Sequence, residues 1–280
     1  MNTKKIGFVL SGGAACGLAN LGVLEVFEEA QVPCHCIAGS SMGSIVAGLY
    51  ALGIPLPQAH ELVCNLKLLD VARISGRPLQ GGLQGGLLRQ RLEELLPPVV
   101  GDARIADCRI PFICVAGLVT QPISWSQILF SGFTEKFLAA VQPHVFPPET
   151  RLLDALLASS AIPVLFSPVT IGTQTFVDLI HFGAIPARTL RSLQAPDVVI
   201  GTDTFPRYDR LRTFLPRAWR EFIDRGHTEL AADKQTCDVV ISPTMPANSA
   251  RFDRGRDFIE AGRKAAASVL PAVRRLLDNA

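Results

Sequence analysis

The chain has 280 residues, of which 48% are hydrophobic and 19% are charged. This is enough apolar material for a sizeable core, and we expect a single domain over residues 1–280, although the length alone would permit two. The formal net charge is only +2, which argues against the strongly basic surface of a nucleic-acid-binding protein.

The seven cysteines are an odd number without regular spacing. Cys34, His35 and Cys36 look like a fragment of a metal site, but on a strand the two cysteines would point to one face and the histidine to the other. No second ligand pair completes a zinc site. We therefore expect no metal, and buried free thiols in a reducing cytoplasm.

Two segments bear on membrane targeting. The first residues carry two lysines and then only a short apolar strand, so the long apolar region of a signal peptide is missing. No charged residue lies between Cys36 and Ala59, and this stretch meets the length of a membrane span. Glycines, serines and prolines interrupt it, so we interpret it as a buried strand, a turn and a buried helix, with a membrane span as the alternative.

The predicted elements alternate between strands and helices. In chain order they are a strand at 5–10, a helix at 17–30, a strand at 34–38, helices at 42–53 and 57–68, a glycine-rich surface loop at 73–86, a helix at 87–96, strands at 111–117 and 123–130, helices at 134–141 and 151–159, strands at 174–178 and 197–202, a helical region at 211–232, a strand at 237–241 and a helix at 253–278. The alternation predicts a layered α/β fold with a mostly parallel sheet. Ligands of such sheets bind beyond the carboxyl ends of the strands.

Ser41 is the centre of a G-x-S-x-G pentapeptide, Gly39-Ser40-Ser41-Met42-Gly43. An apolar run precedes it and a helical pattern follows it, which is the sequence form of a nucleophile elbow. Side chains in place of the two glycines would crowd the neighbouring strand and helix. The pattern predicts that Ser41 is exposed at a sharp turn, beside the free N–H groups of a helix N-terminus.

A second glycine-rich loop follows the first predicted strand and contains Gly12, Gly13 and Gly17. Small residues there leave backbone N–H groups free to bind an anion, either a phosphate or the oxyanion of a tetrahedral intermediate. The spacing differs from the dinucleotide pattern G-x-G-x-x-G, and Glu28 and Glu29 come too early for its acidic residue. No Gly-Lys-Ser/Thr sequence follows, which excludes a P-loop.

A carboxylate ends the apolar strand Phe176-Val177-Asp178. Carboxylates at strand ends are common catalytic bases, although they also cap loops. Because the glycine-rich loop, Ser41 and Asp178 each follow a predicted strand, we expect all three to converge on one edge of the sheet.

Together these motifs resemble the patatin-like phospholipase family. Leu10–Ala19 resembles the glycine-rich oxyanion loop of the family, and Gly39–Gly43 resembles its nucleophile motif. The segment Ala158-Ser159-Ser160-Ala161-Ile162-Pro163 is similar to A-S-x-A-I-P. Asp178 falls where the family has the aspartate of D-G-G or D-G-A. The resemblance implies a three-layer α/β/α, patatin-like fold.

The chain departs from the family pattern at several positions. Cys16 stands where the family usually has arginine or lysine, and Asn20 where it often has histidine. Leu179 and Ile180 follow Asp178, where the family has glycine. Because glycine permits backbone conformations that leucine disfavours, we expect a poorly aimed Asp178, weak activity, and improvement by glycine at both positions.

The resemblance implies a serine lipid acyl hydrolase with a Ser41–Asp178 dyad and an acyl-enzyme. Asp178 would accept the Ser41 proton, and N–H groups of Gly12, Gly13, Ala14 and Met42 would bind the oxyanion. This chemistry needs no cofactor. Two alternatives are a catalytically weak or inactive lipid-binding protein on the same fold, and a Ser-His-Asp esterase that uses His227.

The expected partner is a lipid or acyl-ester substrate, and the expected location is the cytoplasm, including its membrane periphery. Arginines and aromatic residues alternate between Phe205 and Arg225, a composition that can lie transiently on an anionic membrane surface. We favour the other interpretation, a solvated helix with its apolar face on the core, because Asp209, Glu221 and Asp224 partly neutralise the segment.

Overall fold

The structure is a computed structural model, and it describes residues 4–64, 72–74, 88–90, 92–122, 135–163, 165–179, 182, 184–205 and 217–278. The strands are β1 (Ile6–Leu10), β2 (Cys36–Ser40), β3 (Ala72–Ile74), β4 (Leu88–Gln90), β5 (Phe112–Val119), β6 (Val141–Val145), β7 (Val169–Ile171), β8 (Gln174–Val177), β9 (Val198–Thr202) and β10 (Val239–Ile241).

The described helices are α1 (Ala19–Glu29), α2 (Met42–Leu52), α3 (Leu56–Cys64), α4 (Leu92–Leu95), α5 (Pro97–Val100), α6 (Glu135–Ala140), α7 (Leu152–Ser159), α8 (Ala187–Gln194), α9 (Arg217–Lys234) and α10 (Gly255–Asp278). Short 3₁₀ segments span Ala14–Leu18, Ile105–Asp107 and Phe252–Arg254.

The main sheet has the order β10-β9-β1-β2-β5, with these strands parallel to their neighbours. Strands β6 and β8 pair antiparallel with β5, and β7 pairs antiparallel with β8. The central strands β1, β2 and β9 are buried along their whole length, as expected for parallel strands covered on both faces. Strands β3 and β4 form a separate antiparallel pair.

Helices cover both faces of the sheet. On one face, Phe8 and Ile37 of the sheet belong to a core with Phe27 of α1, Leu156 of α7 and Phe258 of α10. On the other face, alternate strand residues such as Val9 and Val199 form a second core with Leu190 of α8 and Leu230 of α9. The predicted three-layer α/β/α fold with a mostly parallel sheet is therefore confirmed.

Several predicted boundaries are wrong. Of the described residues in the helix predicted at 87–96, Leu88–Gln90 form strand β4 and Leu92–Leu95 are helical. The helix predicted at 134–141 ends at Ala140, where the chain passes directly into the unpredicted strand β6. Strand β7 was also unpredicted, because three residues are too short for a periodic pattern. The predicted strand at 123–130 and most of the glycine-rich loop lie outside the described residues.

The strand predicted at 34–38 begins only at Cys36. Cys34 and His35 belong to the preceding loop, where His35 Nδ1 accepts a hydrogen bond from the N–H of Ile6. The uncharged stretch between Cys36 and Ala59 contains β2, α2 and the start of α3. Among the helices that the structure describes, none is long and apolar enough to cross a membrane.

Candidate active site

Ser41 occupies the sharp turn between β2 and α2 that its motif predicts. The expectation that it is exposed is wrong, because the loop at Gly12 approaches its side chain and leaves Ser41 only 6% exposed. Its φ of 52° and ψ of −131° are rare for a residue with a side chain and mark local backbone strain. The flanking glycines make the turn possible. A Cβ on Gly39 would lie 2.6 Å from the carbonyl oxygen of Gly43, and one on Gly43 would lie 2.2 Å from that of Leu10. Both contacts are with backbone, so neither position accepts a side chain.

The hydroxyl of Ser159 takes the place of one backbone hydrogen bond between β2 and β5, beside Ser41. In the parallel pair β2–β5, every second residue of β2 donates its N–H to β5. Ile37 donates to the carbonyl of Pro111, so a regular continuation of the pair would have the N–H of Ser41 donate to the carbonyl of Val115. Instead Ser159 Oγ accepts from Ser41 N at 2.9 Å and donates to Val115 O at 2.7 Å. Ser159, at the end of α7, thereby holds the nucleophile elbow to the neighbouring strand.

The peptide bond between Ser41 and Met42 is fixed by α2, the helix that follows it. Ser44 Oγ donates to the carbonyl oxygen of Ser41 at 2.7 Å, and the N–H of Ser44 donates to the same oxygen at 2.9 Å. In a trans peptide the next N–H, that of Met42, points away from this carbonyl. Met42 N–H is therefore directed out of the N-terminus of α2, where the helix dipole favours negative charge.

The strand registers place β2 and β8 end to end. Val115 of β5 pairs with Ser40 of β2 and also with β6, so β2 and β6 lie along opposite edges of β5. Gly117 pairs with β6 and also with Val177 of β8, so β6 and β8 lie along opposite edges as well. Strands β2 and β8 consequently share one edge of β5.

This arrangement brings Ser41 and Asp178 to the same level. Ser41 follows Ser40, opposite Val115, and Asp178 follows Val177, opposite Gly117, so both reach the level of Ala116 from opposite directions. Convergence beyond the carboxyl ends of parallel strands was expected from the sequence. It arises here because β5 continues past the end of β2 and pairs there with the antiparallel β8.

The segment that contains the A-S-x-A-I-P motif lies between the two residues. Ser159 binds the N–H of Ser41, and two residues later the carbonyl oxygen of Ala161 accepts the N–H of Asp178 at 2.8 Å. Asp178 is 2% exposed. A single turn of chain at the end of α7 is thus hydrogen-bonded to both residues of the predicted dyad.

The predicted oxyanion loop runs beside Ser41. A Cβ on Gly12 would lie 2.8 Å from Cβ of Ser41, so only glycine allows this approach. Gly13 has a φ of 131°, and the next residue, Ala14, also has a positive φ of 49°. Within the described part of the chain, the N–H groups of Gly12, Gly13, Ala14 and Met42 have no hydrogen-bond acceptor.

Two buried polar side chains, those of Thr202 and Asn20, fix the backbone of this loop. Thr202 Oγ1 accepts the N–H of Ser11 at 3.0 Å, and Asn20 Nδ2 donates to the carbonyl of Ser11 at 2.9 Å. Thr202 Oγ1 also donates to Asn20 Oδ1. Asn20, a departure from the family pattern, is therefore a fully buried link between α1, the loop and β9. The sequence signal for this support of the loop was Thr202, the last residue of β9, which is the strand that pairs with β1.

The other departures have different consequences. Leu179 is 5% exposed and packs in the second core. Its φ is not positive. The expectation that leucine strains the backbone here is therefore wrong for Leu179, while Ile180 lies outside the described residues. Burial raises the pKa of Cys16 to about 11, which leaves a neutral thiol where the family usually has a cation.

The remaining predicted groups lie elsewhere. His227 is on α9, which contributes to the second core, whereas Ser41 opens α2 on the first face. In the described ranges, no group of three or more histidine, cysteine, aspartate and glutamate side chains could hold a metal ion.

A family model of patatin-like phospholipases matches residues 8–178, which is more than half of the chain. The chain belongs to the patatin-like phospholipase family.

Similar proteins include fungal lysophospholipases. Lysophospholipase NTE1 of Kluyveromyces lactis is 28% identical over 210 residues, covering 68% of this chain and 13% of that protein. Lysophospholipase nte1 of Aspergillus fumigatus is 30% identical over 173 residues, covering 54% of this chain and 10% of that protein. This chain therefore spans only a small part of the length of these curated relatives.

Two proteins of known structure are similar at low identity. The type III effector ExoU superposes with a TM-score of 0.49 at 15% identity, covering 96% of this chain and 53% of that chain. VipD from Legionella pneumophila has a TM-score of 0.44 at 12% identity, covering 97% of this chain and 67% of that chain.

Proposed function

We propose that this protein hydrolyses the acyl ester of a phospholipid or lysophospholipid, with Ser41 as the nucleophile and Asp178 as the base. The observation that carries this proposal is the meeting of β2 and β8 on one edge of β5, which brings Ser41 and Asp178 to the level of Ala116. The strained φ of Ser41 supports it, because such strain is retained where it serves a site.

In the first half of the reaction, Ser41 Oγ attacks the ester carbonyl carbon while its proton passes to the Asp178 carboxylate. The carbonyl oxygen becomes an oxyanion, which N–H groups of Gly12, Gly13, Ala14 and Met42 stabilise. The bond to the leaving alkoxide then breaks, and Asp178 returns the proton to that oxygen. An acyl group remains on Ser41.

The second half repeats these steps with water. Asp178 accepts a proton from water, whose oxygen attacks the acyl carbon, and the bond to Ser41 Oγ breaks as the proton returns to Ser41. The fatty acid is released and the enzyme is restored. Neither half requires a metal or an organic cofactor.

The lipid class follows from the family and from the relatives that are named lysophospholipases. The free thiols of the described cysteines support the expected location in a reducing cytoplasm. Exposed Arg217, Arg220 and Arg225 at the start of α9 would allow a transient contact with an anionic membrane surface.

The test is hydrolysis of lysophosphatidylcholine, phosphatidylcholine and p-nitrophenyl esters of graded chain length. Asp178→Asn removes the proton acceptor at nearly constant size, and turnover should fall at least about a hundredfold. Asp154→Asn, on the surface of α7, is the matched control and should retain activity. A wild-type rate in Asp178→Asn would reject the dyad, and binding without turnover in the wild type would favour a lipid-binding protein.

A further inference from the structure

The glycine-rich loop faces a conformational problem. Glycine at positions 12 and 13 allows close approach to Ser41, but glycine also adopts many backbone conformations at low cost. The peptide between Gly12 and Gly13 could therefore rotate and exchange its N–H for its C=O on the side of Ser41. A carbonyl oxygen turned to that side would repel an oxyanion, so the loop needs a group that fixes the peptide.

Thr204, two residues after β9, makes a closed set of hydrogen bonds with the loop. Its N–H donates to Ser11 Oγ at 2.8 Å, and the two hydroxyl oxygens are 2.8 Å apart. Its Oγ1 lies 2.6 Å from the carbonyl oxygen of Gly12 and 3.2 Å from that of Ser11. Because the Ser11 carbonyl already accepts from Asn20, the nearer Gly12 carbonyl is the acceptor of the Thr204 hydroxyl. Each hydroxyl has one proton, so Ser11 donates to Thr204 and Thr204 donates to Gly12. Both side chains are fully buried.

Thr204 and Ser41 lie on different sides of the loop. A Cβ on Gly13 would lie 2.5 Å from the carbonyl oxygen of Thr204, whereas a Cβ on Gly12 would lie 2.8 Å from Cβ of Ser41. The Gly12 carbonyl is turned to Thr204. Among the described residues no peptide bond is cis, so the N–H of Gly13 points away from Thr204.

We propose that Thr204 is a positioning residue, whose hydroxyl locks the Gly12–Gly13 peptide so that the N–H of Gly13 faces the oxyanion. This inference rests on the proposed function. Thr204 lies outside residues 8–178, which match the family model. The part of the chain after Asp178 thus completes the site through the end of β9, which pairs with β1.

The test compares Thr204→Val, which keeps the shape and removes the hydroxyl, with Thr204→Ser, which keeps the hydroxyl. Loss of one oxyanion donor reduces kcat by about 10²–10³-fold. We expect Thr204→Val to lower kcat about a hundredfold with KM nearly unchanged, because an oxyanion forms only in the transition state. Thr204→Ser should restore most of kcat.

A distant threonine provides the matched control. Thr236 Oγ1 donates to the carbonyl oxygen of Asp233 at 2.6 Å, the same kind of bond near the end of α9, and Thr236→Val should leave kcat unchanged. The pH profile of kcat/KM should keep its midpoint in Thr204→Val, because Thr204 acts on the oxyanion rather than on the base. A shifted midpoint, or equal loss in the valine and serine variants, would contradict the inference.

A second measurement separates this inference from the proposed function. If Ser41→Ala abolishes hydrolysis but Thr204→Val does not lower kcat, only the role of Thr204 fails. If Ser41→Ala hydrolyses esters normally, the proposed function fails. In either case a crystal structure of Thr204→Val is decisive for the lock: a rotated Gly12–Gly13 peptide supports it, and an unchanged carbonyl direction overturns it.

Discussion

Replacing Ser159 by alanine removes the hydroxyl that joins the nucleophile elbow to β5. The N–H of Ser41 and the carbonyl of Val115 would both lose their partner, and these residues are only 6% and 5% exposed. A hydrogen bond contributes about 1 kcal/mol net, and a buried group left unsatisfied costs about 1–3 kcal/mol. We therefore expect the free energy of unfolding to fall by about 2–4 kcal/mol.

Ser160→Ala is the matched control for this change. Ser160 Oγ donates to the carbonyl oxygen of Leu156 at 2.7 Å, and that oxygen also accepts the N–H of Ser160. The alanine variant leaves the Leu156 carbonyl with a donor, and the other contact that it removes, from Ser160 Oγ to the carbonyl oxygen of Leu157, is long at 3.4 Å. Its stability should therefore fall by less than about 1 kcal/mol. The two variants thus remove the same group from adjacent, buried positions with different expected costs.

The assay combines thermal unfolding with turnover per folded molecule. A change of about 2–4 kcal/mol corresponds to a fall in Tm of roughly 3–7 °C for a protein of this size. Turnover should fall at least about tenfold in Ser159→Ala, because a small displacement of a reacting group is costly. Equal Tm values for the two variants, or wild-type turnover in Ser159→Ala, would refute this reasoning.

Three further outcomes are expected. Gly43→Ala should destabilise the fold by about 3 kcal/mol or more, because the new Cβ would lie 2.2 Å from Leu10 O. Gly48→Ala on the same helix is the control, since its Cβ meets only side-chain atoms at 3.0 Å or more. Equal unfolding midpoints of the two variants in urea would contradict this prediction. Leu179→Gly should lower stability by about 3 kcal/mol through lost burial and should not raise turnover per folded molecule, so a clear gain in rate would restore the strained-leucine interpretation. Burial raises the pKa of Asp233 to about 6 against the opposing influence of Arg188. A carboxyl whose pKa is higher in the folded than in the unfolded protein contributes to stability when it is protonated, at pH values below its unfolded pKa. As the pH rises through its folded pKa, the buried carboxyl ionises and that contribution is lost. Asp233→Asn should therefore raise Tm at pH 8 and leave it nearly unchanged near pH 4; the reverse pattern in calorimetry would be inconsistent with this pKa.

The elbow could be predicted from the sequence because its causes are local. Gly39 and Gly43 lie within two residues of Ser41, and the strand and helix around them have clear apolar patterns. The loop at Gly12 and Gly13 is similar, since its glycines and the preceding strand are adjacent in the chain. Short-range steric requirements of this kind leave a direct mark on the order of residues.

The supports of the site could not be predicted in this way because they are long-range. Ser159 contacts Ser41 across 118 positions, and Thr204 contacts Ser11 across 193 positions. Thr204 does not differ in the sequence from an ordinary threonine near the end of an element, and the A-S-x-A-I-P motif marks Ser159 without indicating what it contacts. The placement of Asp178 depends similarly on how far β5 extends past β2, which is a property of the whole sheet. The positions of Asp178 and Ser41 after predicted strands indicated only a common edge of the sheet, and the resemblance to the family indicated that the two act together.

The central claim is that Ser41 forms a covalent acyl intermediate, and the most direct measurement is mass spectrometry after reaction with a fluorophosphonate probe. We expect one adduct per molecule, on the peptide that contains Ser41, lost in Ser41→Ala and retained in Ser40→Ala. Labelling of the wild-type protein at another residue, or unchanged labelling of Ser41→Ala, would contradict the account.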